Sequence, residues 1–88
     1  MTTVYLTRHI WAALSILRKR MRARALRRTL QALGCVEVRQ VGSHLRVECR
    51  TCRTTIPVHA GQELGPGLLR AIERDLEPCL GKGWLRKA

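Results

Sequence analysis

The apolar rhythm of this chain changes once, at Gly34, and that change limits what it can fold into. Before it, Ile10, Leu14, Leu17 and Met21, then Leu26, Leu30 and Leu33, recur at spacings of three and four, the period of an amphipathic helix. The segment from about Leu6 to Leu33 therefore reads as helix. It is one or two helices, with Thr7 as a cap for the first half and nothing between Arg18 and Arg28 to break the pattern. Gly34 supplies the stop. After it the period is two. Cys35 to Gln40 is a first strand, Val41-Gly42-Ser43 a turn, and His44 to Cys49 a second strand with clean alternation. Arg50-Thr51 is a hairpin tip, and Cys52 to Val58 a third strand. Pro57 has no N–H to donate, which puts that strand at an edge or ends it there. Residues 59–67 read as loop. Pro66 suits the first turn of a final helix, whose apolar face is Leu69, Ile72 and Leu76 and whose end is Pro78. Trp84, in the tail, is expected to fold back on the domain.

Helix, three antiparallel strands, helix is an α+β order. It corresponds to the α-β-β-β-α arrangement of a double-stranded-RNA-binding domain (dsRBD), with both helices on one face of the sheet, here preceded by an N-terminal helical extension. The expected organisation is a basic helical extension over residues 1–21, the folded unit over 22–80 and a tail over 81–88. Met21 is a second candidate start, so the extension reads as a gene-start artefact, a docking helix or part of a binding surface. The sequence leaves these three open. With no Phe, one Tyr and two Trp in 88 residues, the core has to be aliphatic, and the aromatic platform on which many single-strand binders stack bases is missing.

Charge narrows the partners. Seventeen Lys and Arg against six Asp and Glu give a net +11, which favours polyanions, nucleic acid first. Residues 1–33 carry eight bases and no acid. Seven of them fall between Arg18 and Arg28. Without compensating acids they would repel one another on a purely structural helix, so Arg20, Arg22, Arg24, Arg27 and Arg28 are read as phosphate contacts. No stretch has the roughly 20 apolar residues needed to cross a bilayer. The run Ile10 to Leu17 is followed by Arg18-Lys19-Arg20, where a signal peptide would have small residues. No membrane is expected, and the chain reads as cytoplasmic.

Gly42-Ser43-His44 is the candidate site. A tight turn launches one imidazole from the first residue of a strand, and an unperturbed pKa of about 6.5 lets that ring take or give a proton near neutrality. Alternation puts Leu45, Val47 and Cys49 toward the core, so His44, Arg46 and Glu48 share the opposite face. Such a turn can hold a proton-transfer group against a phosphodiester, whose cleavage also needs cations for the developing charge. His44 takes one proton-transfer role, Arg46 and Arg39 stabilise developing charge, and Ser43 orients the phosphate. The partner in proton transfer is unassigned. His59 reads as structural and His9 as incidental.

Cys49-Arg-Thr-Cys52 has the spacing of half a zinc site. Three thiolates (Cys49, Cys52, Cys79), completed by His59, would staple a small core. The competing expectation is free thiols in a reducing cytoplasm, with Cys35 a small buried residue and no cofactor.

Three ordered motifs between Leu26 and Ile72 carry a resemblance. They are Leu-Gly-Cys-Val-Glu-Val-Arg-Gln-Val-Gly-Ser-His, Thr-Ile-Pro-Val-His and Gly-Pro-Gly-Leu-Leu-Arg-Ala-Ile. Together they resemble the HicA (YcfA-like) family of bacterial toxins over roughly residues 22–77. The resemblance implies a dsRBD-like mRNA interferase, an endoribonuclease that cuts without metal and is neutralised by a HicB-type antitoxin, with His44 in the catalytic position and Gly42 as the turn residue. The N-terminal extension and the Cys-x-x-Cys depart from the family pattern. The competing readings are a binding module that holds RNA without cutting it and a structural role in which the N-terminal helix docks an acidic partner.

Overall fold

The computed structural model describes residues 20–59, 61 and 63–87. The expected helix over residues 6–19 and His9 lie outside the described residues. A two-residue strand β1 (Met21–Arg22) leads into helix α1 (Ala23–Ala32). Strands β2 (Val36–Val41), β3 (His44–Cys49) and β4 (Cys52–Pro57) follow, then β5 (Glu63–Leu64), helix α2 (Pro66–Leu80) and a last turn α3 (Trp84–Lys87).

Strands β2, β3 and β4 form an antiparallel sheet in that order. The inward residues Leu45, Val47, Cys49 and Ile56 pack with Leu26 and Leu30 of α1 and Leu69, Ile72 and Leu76 of α2 in one core. The helix–three-strand–helix α+β fold is thus the one expected. β4 is an edge strand and ends at Pro57. At that position the missing donor costs no ladder bond. Trp84 does fold back. It is 4% exposed, and its indole N–H donates to the Glu73 carbonyl at 2.9 Å.

Three local expectations change. The helix does not run unbroken through Met21 and Arg22. Arg22 has extended backbone (φ −73°, ψ 146°), and these two residues pair with Glu63–Leu64 instead. Burial explains the exchange. Leu64 is buried and Met21 packs on the core, an inward placement that the pairing with β5 supplies with backbone hydrogen bonds. The stretch read as loop between His59 and Gly67 consequently contains β5. α2 does not stop at Pro78 but continues to Leu80, closing when the Gly81 N–H bonds the Glu77 carbonyl at 2.8 Å and Gly81 takes φ +93°. Proline forbids a hydrogen bond from its own nitrogen, and so close to the helix end only one bond is forfeited.

The cysteines give the largest correction. None of the four is free: Cys35 is bonded to Cys49 and Cys52 to Cys79. Cys35, just before β2, adjoins Cys49 because Val36 pairs with Glu48. Cys49 and Cys52 are themselves cross-strand neighbours. The first bond ties the entry of β2 to the end of β3, and the second ties β4 to the end of α2.

Candidate functional site

The β2–β3 turn is built on backbone that favours glycine. Gly42 has φ +60°, the left-handed region that costs other L-residues roughly 1 kcal/mol or more. The Gln40 side-chain amide donates to the Gly42 carbonyl at 3.0 Å. On the other side, the Val58 N–H donates to the Ser43 carbonyl at 2.7 Å. The turn is held from both flanks, and His44 leaves it as the first residue of β3.

His44 is exposed, and its cross-strand partners are Val41 and Pro57. Alternation then places Arg46 on the same outer face, about 7 Å along the strand. The bulge between Glu37 and Arg39 sets β2 so that Arg39 is directly opposite Arg46. His44, Arg46 and Arg39, which the sequence reading grouped, therefore occupy neighbouring positions on the sheet. Like charges directly opposite destabilise a sheet, yet neither Arg39 nor Arg46 has an ion-pair partner among the described residues. The outer face keeps these two guanidiniums, neither in an ion pair among the described residues, beside one imidazole and the exposed Glu48.

The basic run divides into separate surfaces. Arg22, Arg24 and Arg27 line a concave pocket of about 300 Å³ with Val58 and His59. Arg28 lies on another side of α1, beside Thr29, Ala32 and Leu33. Arg20 reaches toward Gly65, the residue that opens α2. Arg27 is not a free cation. Its Nε and Nη2 donate to the two Glu37 carboxylate oxygens at 2.7 and 2.8 Å. Those hydrogen bonds hold the Glu37 carboxyl below the usual carboxylate range and raise Arg27, each against an opposing push from burial. His59, read from the sequence as structural, is exposed and faces this arginine-lined pocket. No sequence signal joined it to residues 35 positions earlier.

The proposed zinc ligands Cys49, Cys52 and Cys79 are all consumed in the two disulfides. In this arrangement no group of three or more His, Cys, Asp or Glu side chains among the described residues is placed to hold a metal ion. The Thr51 hydroxyl is 3.5 Å from Cys79 Sγ, and Arg50 Nη1 donates to the Cys79 carbonyl at 3.1 Å, so both tip residues brace the end of α2. No described helix is long and apolar enough to cross a membrane.

The site is thus one exposed imidazole and two exposed guanidiniums at neighbouring positions on the sheet of a small α+β domain. The family model for HicA, the toxin of bacterial toxin–antitoxin systems, matches residues 23–77. The chain belongs to that family, and the protein is accordingly the toxin member of a toxin–antitoxin system. The match spans α1 through most of α2 and leaves β1, Cys79 and α3 outside. Comparison with curated proteins and with solved structures gives no match.

Proposed function

We propose that the protein is an mRNA interferase, a metal-independent endoribonuclease whose proton-transfer residue is His44 and whose activity a HicB-like antitoxin neutralises. The observation that carries this reading is the outer face of the sheet: His44 is exposed, Arg46 follows on the same face and Arg39 is opposite Arg46, with no acid paired to either arginine. A polyanion relieves the repulsion between those guanidiniums, and the linkage it brings is one that an imidazole can help to break by proton transfer. Gly42 and Ser43 hold the ring at the turn. Arg22 and Arg24 offer the RNA backbone a second positive surface, Arg20 and Arg28 lie on other sides and add to the general positive field, and Arg27 serves mainly the ion pair with Glu37. RNA and antitoxin are both met in the cytoplasm, where this reading places the protein.

His44→Ala tests it. Acid–base catalysis by one group is worth about 10²–10⁴-fold, so cleavage of single-stranded RNA by the purified variant, without added metal, falls by that factor while its affinity for RNA is retained. If wild-type protein and variant bind RNA equally and neither cuts it, the protein is a binding module and the nuclease reading is wrong.

A further inference from the structure

One imidazole performs half of the proton traffic in metal-free RNA cleavage. Resting on the nuclease reading above, we propose that His59 is the second: it protonates the leaving 5′-oxygen, and Arg22 and Arg24 beside it grip the RNA on the leaving side.

Strand register brings the two rings to one end of the sheet. His44 is opposite Pro57, and the ladder continues one bond further, from the Val58 N–H to the Ser43 carbonyl at 2.7 Å. His59 thus follows two residues after the cross-strand partner of His44 and one after the residue bonded to Ser43. Both imidazoles stand at the turn end of the sheet, one on its outer face and one at the arginine-lined pocket, and the proposed RNA linkage spans that edge. Both residues are exposed, so both rings are open to substrate.

Their surroundings differ, and the difference assigns the roles. His44 stands on the open outer face with Arg46 and Arg39, where an extended strand can present its 2′-OH. His59 lines the concave pocket of about 300 Å³ with Arg22, Arg24 and Arg27. Glu37 engages Arg27, whereas Arg22 and Arg24 have no ion-pair partner among the described residues. Two free guanidiniums in a pocket of this size bind the phosphate that follows the scissile one, which belongs to the leaving nucleotide. The acid is the ring beside that grip.

The chemistry balances without a co-reactant. His44 takes the proton of the 2′-OH as the 2′-oxygen bonds to phosphorus. The bond from phosphorus to the 5′-oxygen breaks, and the imidazolium of His59 gives its proton to that oxygen. The products are a 2′,3′-cyclic phosphate and a 5′-hydroxyl, and the two rings return to their starting states by exchange with water.

A sulfur-bridged substrate tests the assignment. A thiolate leaves without needing an acid, so RNA carrying sulfur in place of the 5′-oxygen at the wild-type cleavage position bypasses the proposed role of His59 alone. His59→Ala is expected to cut ordinary RNA about 10²–10⁴-fold more slowly yet to cut the sulfur-bridged linkage at close to the wild-type rate. His44→Ala stays defective on both. Arg22→Ala raises KM on both, because a grip on phosphate does not depend on the leaving atom. If His59→Ala cuts ordinary RNA normally, or is equally impaired on both substrates, the proposal is overturned while the nuclease reading stands. A wild-type protein that cuts neither substrate overturns both.

Discussion

Glu37 shows how a single side chain can reassign its neighbours. It lies on the inner side of β2, opposite Val47, and takes both hydrogen bonds from Arg27. That contact removes Arg27 from the unpaired cations of the surface and anchors α1 to the sheet. A carboxylate held below its usual range stabilises the fold above its unfolded pKa, and the contribution is lost as pH falls through the folded value. The contribution is therefore complete above the unfolded carboxylate value and declines as the solution is acidified below it. Because Arg27 is 39% exposed, solvent screening limits the pair to about 0.5–1 kcal/mol. Glu37→Gln should lower unfolding stability by that amount at pH 7, and the gap from wild type should be narrower at pH 3. Denaturant curves at the two pH values measure it, and an equal gap at both would show that the pair does not titrate in the fold.

At the scale of elements, the disulfides cross-link strands and a helix that already pack in one core. Cys35–Cys49 closes a separation of 14 residues and Cys52–Cys79 one of 27. Loop-closure entropy gives each about 3 kcal/mol, slightly more for the longer. That is a large share of the 5–15 kcal/mol by which domains are stable, and this core has no Phe to draw on. A dithiol reductant should lower the urea midpoint of the wild-type protein, and Cys35→Ser with Cys49→Ser should reproduce part of the loss without reductant. An unchanged midpoint on complete reduction would mean that the staples add nothing. The same experiment bears on compartment, since a reducing cytoplasm would keep these bonds open.

The molecule as a whole is a positive body with directional faces. Neutralising phosphates releases counterions, and for a single strand the logarithm of affinity falls with the logarithm of salt at a slope of roughly −0.7 per contact. Arg22→Ala with Arg24→Ala should make that slope shallower by about 1.4, whereas His44→Ala should leave it unchanged. Binding of an uncut RNA analogue across a salt series measures both, and an unaltered slope in the double variant would remove the pocket from the RNA path.

Local pattern alone determined the outline of this protein. A helical period before Gly34 and an alternating one after it define α1 and the three-stranded sheet, and the Gly-Ser-His turn followed by alternation places His44 and Arg46 on one open face. These are relations between neighbours in sequence, dictated by 3.6 residues per helical turn, two per strand repeat and a glycine where φ is positive. Only the tertiary structure decided the rest. The pairing of Met21–Arg22 with Glu63–Leu64, the partners of four cysteines, the capture of Arg27 by Glu37 and the meeting of His59 with Arg22 and Arg24 join residues ten to more than forty positions apart. A two-residue strand is too short to show a period, four cysteines allow three pairings, and an ion pair across elements leaves no repeat in the chain. Such contacts follow from burial and register, which exist only once the strands have packed.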